Sequence, residues 1–390
     1  MTEYQSVVFL RKGIFMKALI TACCTIIAVA LLVTCIFSGF GYESSNTINN
    51  YPYALVREDA WSADNREKWS PYSHLDGIYL RGQNENLVYS WDLGMDKPLR
   101  IDLNAIKEDI NKQTPDFPNA YYKRIINSRF AVWIVGKPKD DETYLMVLYD
   151  FREMRIAKIV APPKGFEWEF FNVNHVTSKN SGYFPLLLFG KKIETFEKDG
   201  TASYGDSHDI TVAVLDLETL EIDYDYPVYK ATGEHTPVDI RSMVLTEDLS
   251  QVMAAYIYYR VVGFRKGDVE SVIYPKLPEN VLVKYLDCAR TKPILLGGDD
   301  RNNWIDRYDY ETIQGINTRK LNVPGIYDII ISPDDRYVLI RSNGHYLFDL
   351  DTMKLIQTIR EPGFSDAATF SPSGDELAIF RNGKMSLFKR

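Results

Sequence analysis

The sequence predicts an all-β fold that is preceded by a single transmembrane helix. Aromatic residues make up 13% of the 390 residues, and aromatic and β-branched side chains favour strands over helices. Short segments that alternate apolar and polar residues, such as 128–135 and 209–217, are separated by turns rich in Gly, Asn, Asp and Pro. By contrast, residues 18–42 form one apolar run without a charged side chain.

The apolar run from Ala18 to Tyr42 is long enough to cross a membrane, since about 20 apolar helical residues span the hydrocarbon core. Arg11, Lys12 and Lys17 precede it, so the positive-inside rule places the N-terminus in the cytoplasm. We expect an uncleaved signal anchor in a bacterial inner membrane, with the C-terminal domain in the periplasm or outside the cell. The predicted boundaries are residues 1–17 for a cytoplasmic tail, 18–42 for the transmembrane anchor, 43–52 for a polar linker and 53–390 for the folded domain.

Two further observations concern the processing of this segment and the location of the protein. Leu32-Val33-Thr34-Cys35 is similar to the lipid-attachment motif of bacterial lipoproteins, although Thr34 departs from the usual Gly, Ala or Ser. Acylation of Cys35 would make the chain a lipoprotein that aids outer-membrane assembly, and a cleaved signal peptide is the other alternative. The sequence has no Asn-X-Ser/Thr acceptor, which favours a bacterial envelope over a eukaryotic secretory compartment.

A repeated triplet organises the remaining sequence. An apolar–Asp–apolar triplet recurs at the ends of predicted strands, and its aspartates are Asp92, Asp150, Asp216, Asp309 and Asp349. The long interval between Asp216 and Asp309 fits two units, with a degenerate one near 272–274, and the C-terminal segment 383–390 supplies one more. The repeat therefore predicts seven units. We expect each Asp to accept hydrogen bonds from the turn that follows it.

Two of these units resemble the blades of WD40 and YVTN-type propellers. Residues 332–359 combine Ser-Pro-Asp, a strand, an Asn-Gly turn, a strand that ends in Asp, and an outer strand, and residues 370–388 repeat that order. Residues 208–222 resemble the third-to-fourth strand segment of such a blade. The resemblance implies a seven-bladed β-propeller over residues 53–390, whose four-stranded sheets bury their faces against one another. It also implies protein or peptide contacts more often than catalysis.

The last unit predicts only three strands, at 367–370, 376–381 and 385–389, so its sheet lacks a fourth. We expect the segment Tyr53–Arg57 to supply the missing strand and to remove an exposed edge. The only helix that we expect after the anchor lies around Leu103–Lys112.

Charge and motifs exclude several functions. The net charge is −8 for the chain and −10 for residues 43–390, so the body repels nucleic-acid phosphates. Cys288 is the single cysteine of that body, which excludes an internal disulfide and a cysteine-based zinc site there. The sequence contains no HExxH, GxSxG or phosphate-binding glycine motif. It therefore assigns no catalytic residue and predicts neither a cofactor nor a nucleic-acid partner.

Two polar segments are candidate binding elements. Asp299, Asp300 and Asp306 have oxygen ligands suited to Ca²⁺, but their spacing departs from the EF-hand pattern, and a solvated hairpin is the simpler interpretation. The segment 191–209 is long for a hairpin connection. Long loops on a rigid scaffold often carry partner contacts, so this segment is the candidate binding loop.

These observations predict a membrane-anchored, extracytoplasmic β-propeller that acts as a protein-interaction or scaffolding module of the bacterial envelope. The expected partner is a protein or a peptide. An alternative is an enzyme or small-ligand sensor that resembles lactonases or quinoproteins and uses the mouth of the central channel. That alternative requires several acidic or His side chains at one end of the channel, whereas a mixed or apolar rim favours the scaffold.

Overall fold

The computed structural model of the chain describes residues 52–57, 69–74, 77–82, 87–92, 99–117, 119–136, 144–169, 175–190, 194–196, 202–204, 209–230, 240–256, 260–274, 283–301, 303–359, 366–381 and 384–390. The chain divides into two units, Met1–Asn50 and Tyr51–Arg390. The predicted transmembrane segment 18–42 and Cys35 lie outside the described residues. Within those ranges, no helix is both long and apolar enough to cross a membrane.

The first half of the described chain contains one helix and many short strands. It begins with β1 (Ala54–Arg57), β2 (Trp69–His74), β3 (Gly77–Gly82), β4 (Leu87–Asp92) and β5 (Leu99–Asp102). The helix α1 (Leu103–Gln113) precedes β6 (Asn119–Ile125), β7 (Phe130–Gly136), β8 (Tyr144–Asp150) and β9 (Arg155–Val160). Next come β10 (Phe166–Glu169), β11 (His175–Ser178), β12 (Tyr183–Gly190), β13 (Glu194–Phe196), β14 (Ala202–Tyr204), β15 (Asp209–Asp216), β16 (Ile222–Asp223) and β17 (Tyr229–Lys230).

In the second half, all the secondary-structure elements among the described residues are strands. It contains β18 (Ile240–Leu245), β19 (Gln251–Tyr256), β20 (Arg260–Arg265), β21 (Val272–Ile273), β22 (Tyr285–Cys288), β23 (Ile294–Gly298), β24 (Trp304–Asp309) and β25 (Gln314–Lys320). The last strands are β26 (Asp328–Ile331), β27 (Tyr337–Arg341), β28 (His345–Asp349), β29 (Leu355–Ile359), β30 (Asp366–Phe370), β31 (Glu376–Arg381) and β32 (Lys384–Lys389).

The described strands form seven larger sheets, numbered here in chain order, and one hairpin of β13 and β14. Sheet 1 has the order β2-β3-β4-β5, sheet 2 β6-β7-β8-β9, sheet 5 β22-β23-β24-β25 and sheet 6 β26-β27-β28-β29. Sheet 3 has the order β10-β12-β15-β16, with β17 also on β15, and sheet 4 has the order β11-β18-β19-β20-β21. Sheet 7 has the order β30-β31-β32-β1. The all-β prediction and the number of repeats therefore agree with the described sheets.

Hydrophobic clusters join each sheet to the next one. Alternate residues of a strand face opposite sides, and β7 uses both sides. Ala131, Trp133 and Val135 pack in the cluster shared with sheet 1, whereas Phe130, Val132 and Ile134 pack in the cluster shared with sheet 3. Further clusters join sheets 3 and 4, 4 and 5, 5 and 6, 6 and 7, and finally 7 and 1. The series of contacts between successive described sheets thus begins and ends at sheet 1.

Sheet 7 combines the two ends of this body, as the sequence predicts. β1 pairs antiparallel with β32, with Ala54 opposite Lys389 and Leu55 opposite Phe388. The preceding residue, Tyr53, is 1% exposed and belongs to the cluster between sheets 6 and 7. The strand therefore covers the edge of β32 that the last unit would otherwise expose.

The repeated aspartates end the third strands of their sheets and hold the turns that follow. Asp150 Oδ1 accepts hydrogen bonds from Arg152 N and Glu153 N at 2.9 and 3.1 Å. Asp216, Asp309 and Asp349 accept equivalent bonds from the backbone two or three residues ahead. Met154, Leu220, Ile313 and Met353, each four residues after such an Asp, have a positive φ. The expected structural role is confirmed for these four aspartates, whereas the side chain of Asp92 lies outside the described residues.

The predicted position of the degenerate unit is wrong by one strand. Residues 272–273 form β21, the fourth strand of sheet 4, and the third strand is β20. β20 ends at Arg265, where five of the other six sheets have Asp, so the triplet is absent there. Arg265 Nη2 instead donates a hydrogen bond to Tyr310 O in the turn of sheet 5, at 3.0 Å.

The helix α1 lies where the sequence predicts it. Asp102 caps its N-terminus by accepting hydrogen bonds from Asn104 N and Ala105 N at 3.0 and 3.2 Å. Its buried residues Ile106 and Ile110 pack in the cluster between sheets 1 and 2. The helix therefore fills space between two sheets and belongs to the core.

Candidate functional site

One strand departs from the regular order and defines the candidate site. The chain leaves sheet 3 after β10, forms β11, and returns to sheet 3 with β12. β11 pairs with β18 in parallel, with His175 opposite Ser242 and Ser178 opposite Leu245. This is the one parallel ladder among the described strands, and it places an additional strand on the inner edge of sheet 4.

A cavity of about 310 Å³ lies beside β11 and is lined by residues of several first strands. We call it the central cavity. It is lined by residues in or next to β6, β11, β22, β26 and β30, which belong to five of the sheets. Among the described residues, its charged lining includes Arg124, Lys179, Asp287, Arg290, Asp328 and Arg341.

A buried ion pair ties the end of β11 to the neighbouring sheets. Lys179 Nζ lies 2.6 Å from Asp287 Oδ2, and the two side chains are 11% and 1% exposed. Asp287 Oδ2 also accepts a hydrogen bond from Ile331 N at 2.6 Å, and Asp287 Oδ1 accepts one from Cys288 N at 3.0 Å. One carboxylate therefore links sheets 4, 5 and 6. Removing one member of such a pair leaves a buried charge and typically costs about 3–5 kcal/mol.

His175 makes a second link across the cavity. His175 Nδ1 lies 3.1 Å from Asp328 Oδ1, and that oxygen also accepts a hydrogen bond from Ile329 N at 3.0 Å. The carboxylate favours the tautomer with its proton on Nδ1, which leaves a lone pair on Nε2. His175 Nε2 is buried and has no hydrogen-bond partner among the described residues. The imidazole therefore retains one polar atom for a molecule in the cavity.

Arginines add positive charge to the same lining. Arg290 Nε lies 2.8 Å from Glu247 Oε2, and Arg290 Nη2 donates a hydrogen bond to Lys179 O at 3.0 Å. Arg341 Nη2 donates to Tyr327 O at 3.0 Å. The rim is therefore mixed in charge, with basic, acidic and apolar side chains together.

The described carboxylates of the central cavity are held by separate protein donors. Over the described ranges, no three His, Cys, Asp or Glu side chains come together in a group that could hold a metal ion. The two carboxylates of the lining are held by Lys179 and His175, respectively.

The three aspartates considered for calcium do not come together as a metal site. Asp299 Oδ1 accepts a hydrogen bond from Arg301 N at 2.7 Å, and Asp300 forms an ion pair with Lys284 at 2.5 Å. Asp306 instead accepts a hydrogen bond from Thr318 Oγ1 at 2.6 Å. Each of the three carboxylates thus has at least one protein donor of its own.

Two of these aspartates share an electrostatic environment. Burial and the hydrogen bond with Asp300 raise the pKa of Asp299 to about 6. Burial alone would raise the pKa of Asp300, but hydrogen bonds with Asp299 and Lys284 outweigh it and lower that pKa. The pair therefore makes stability depend on pH.

The remaining sequence candidates differ in their location. Burial raises the pKa of the Cys288 thiol, which packs between sheets 4 and 5, so this cysteine is a core residue. The candidate binding loop 191–209 contains the hairpin of β13 and β14, in which Glu194 lies opposite Tyr204. Cys35 lies outside the described residues.

Sequence reasoning missed the residues of the central cavity. Lys179 and Asp287 are 108 positions apart, and they meet only because β11 joins sheet 4. His175 and Asp328 are likewise far apart in the chain. The residues 175–178 read His-Val-Thr-Ser, which carries no motif, so no local signal indicated this site.

Comparison with known proteins identifies the fold and no closer relationship. The chain matches no family model, and no curated protein matches it. It is similar to a chain in the crystal structure of a mitotic checkpoint complex, with a TM-score of 0.51 and 13% sequence identity. The match covers 89% of this chain and 94% of that chain. At this identity the likeness concerns the fold alone, and it supports the WD40-like β-propeller that the repeats resemble.

Proposed function

We propose that the chain is a membrane-anchored, extracytoplasmic, seven-bladed β-propeller that binds a protein or peptide partner. The observation that supports this proposal is the set of seven hydrophobic clusters, which pack each of the seven described sheets between two others, as blades pack in a propeller. Such a scaffold holds its loops in fixed positions and suits recognition of a partner. The fold alone does not choose between activities, and the mixed lining of the central cavity favours binding.

The candidate binding loop is the proposed contact element. It joins the second and third strands of sheet 3, and its β13–β14 hairpin forms a sheet separate from the blade. The equivalent connection in sheet 2 covers residues 137–143, between β7 and β8. The extra length in sheet 3 therefore adds surface without extending the blade itself.

Crosslinking of the full-length chain in its own membranes tests the proposed partner contact. One variant replaces residues 192–207 by Asn-Gly, and the matched control replaces residues 137–143 by the same dipeptide. We expect a discrete crosslinked partner with the unaltered chain and with the control, and its loss with the first variant. Absence of any crosslinked partner would contradict the binding function, whereas retention in the first variant would contradict the role of the loop.

The proposed location rests on the apolar segment 18–42 and the basic residues before it. Protease added to bacterial spheroplasts should digest the C-terminal domain and leave the N-terminal tail protected. Digestion only after lysis would place the domain in the cytoplasm. Incorporation of labelled palmitate that is lost in Cys35→Ser would instead support the lipoprotein alternative.

A further inference from the structure

His175 brings one unpaired hydrogen-bond acceptor to the lining of the central cavity. Asp328 Oδ1 lies 3.1 Å from His175 Nδ1, and a carboxylate in this position holds the imidazole proton on Nδ1. His175 Nε2 therefore has a lone pair and no proton, so it accepts a hydrogen bond and cannot donate one. This nitrogen is buried and has no hydrogen-bond partner among the described residues. A buried acceptor without a donor costs free energy, and a ligand that supplies the donor removes that cost.

The charged side chains that the structure describes in this lining are engaged within the protein. Lys179 and Asp287 form an ion pair with each other at 2.6 Å. Arg290, Arg341 and Arg124 each interact with other groups of the protein. A ligand with a net charge would compete with these contacts, whereas a neutral ligand leaves them intact. The lining therefore favours a neutral ligand.

Apolar side chains from three sheets form part of the cavity wall. Ile125 belongs to sheet 2, Ile330 to sheet 6 and Phe370 to sheet 7. The volume of about 310 Å³ lies at the lower end of the range for small-molecule pockets. A small apolar body that packs against these side chains is removed from water, which favours its binding.

We propose that the central cavity binds a small, neutral, mainly apolar molecule that carries one hydrogen-bond donor, such as an aromatic N–H or O–H group. The donor contacts His175 Nε2, and the apolar body lies against the isoleucine and phenylalanine side chains of the wall. Because Nε2 is buried, the side chains beside it move slightly to admit the donor. This site goes beyond the proposed partner contact, because it uses the cavity and not the candidate binding loop.

Titration of the full-length chain with indole tests the proposal. The N–H group of indole is a donor only, and benzofuran has nearly the same shape with an oxygen acceptor in place of that N–H group. Saturation-transfer NMR measures the affinity for each of the two molecules. We expect one saturable site for indole and at least about fivefold weaker binding of benzofuran, because the benzofuran oxygen cannot donate to Nε2. Absence of a saturable indole site, or equal affinity for the two molecules, would overturn the proposal.

The substitution His175→Phe locates the donor contact, because it keeps an aromatic ring and removes Nε2. It should abolish the preference for indole over benzofuran. Arg336→Gln is the control and should keep that preference, because the Arg336 side chain is 67% exposed and lies outside the lining. Thermal melting establishes which variants fold. A preference for indole that persists in folded His175→Phe would contradict the assigned contact and overturn the proposal.

Histidine labelled with ¹⁵N provides a second readout, which decides the proposal if His175→Phe does not fold. A donor that reaches Nε2 should shift the Nε2 resonance of one histidine during the indole titration, and benzofuran should shift it less. Histidine resonances that stay unchanged with indole would overturn the proposal. Loss or retention of the crosslinked partner has no bearing on this result, so failure of the partner contact and failure of the cavity site are distinguishable.

Discussion

Replacing Tyr53 by alanine tests whether β1 completes sheet 7. The Tyr53 side chain is 1% exposed, and its ring lies 5.9 Å from Tyr337 and 5.8 Å from Phe370. Its hydroxyl donates a hydrogen bond to Gly374 O. Truncation of a buried aromatic residue to alanine costs about 3–5 kcal/mol, and the lost hydrogen bond adds about 1 kcal/mol. We therefore expect Tyr53→Ala to lower the free energy of unfolding by about 4–6 kcal/mol.

Urea unfolding of the purified full-length chain, followed by tryptophan fluorescence, measures this change. Tyr53→Phe keeps the ring and should lose only about 1 kcal/mol, which separates packing from hydrogen bonding. Leu55→Ala is the matched control on the same strand, because Leu55 is 48% exposed and should change stability by less than about 1 kcal/mol. Equal, small effects of Tyr53→Ala and Leu55→Ala would refute the claim that this end of the chain seals the last blade.

Three further substitutions test the remaining parts of the structure. Lys179→Met should lower the free energy of unfolding by about 3–5 kcal/mol, and adding Asp287→Asn should restore part of it, as a double-mutant cycle in urea would measure. The pKa of Asp299 is raised from 3.8 to about 6, so the folded chain binds more protons than the unfolded chain between about pH 4 and 6, and stability falls as the pH rises through that range. Asp299→Asn should abolish this fall in stability, which a pH series of unfolding curves measures. The fall is at most about 3 kcal/mol, and it is smaller than this limit because the neighbouring carboxylate of Asp300 shares the proton. Asp349→Ala should cost about 1–3 kcal/mol in thermal unfolding because it removes the acceptor of Thr352 N and Oγ1, whereas Asp351→Ala, on the exposed surface, should cost less than about 1 kcal/mol.

The parts of the fold that depend on local chemistry could be predicted from the sequence. An Asp that accepts hydrogen bonds from backbone N–H groups two or three residues ahead forms a motif of a few adjacent positions, as at Asp150 and Asp349, and such a motif can be recognised in the sequence. The three strands predicted for the last unit also indicated that its sheet needed a strand from the N-terminal side, which is β1. The predicted position of the unit in sheet 4 was wrong because β20 ends in Arg265 instead of Asp, and Arg265 donates its hydrogen bond to another sheet.

The central cavity could not be predicted, because it depends on pairing between distant segments. β10 and β11 are consecutive strands in the chain, yet β10 pairs with β12 in sheet 3 and β11 pairs with β18 in sheet 4. The sequence patterns that indicate strands show the alternation of apolar and polar residues, but they do not show which strands pair with each other. Lys179 and His175 are ordinary polar residues in the sequence, and they gain their role only when this exchange places them beside Asp287 and Asp328.

The register of β11 explains why this strand, whose neighbours in the chain lie in sheet 3, pairs with sheet 4 in a single register. Successive residues of a strand face opposite sides, and His175 and Thr177 make their polar contacts with Asp328 and Asp287. Val176, between them, packs against the hydrophobic clusters on both sides of sheet 3. A shift by one residue would turn Val176 towards the carboxylates and bury the polar residues in the clusters. Buried carboxylates without donors are costly, so the same charges that line the cavity also fix the strand that forms it.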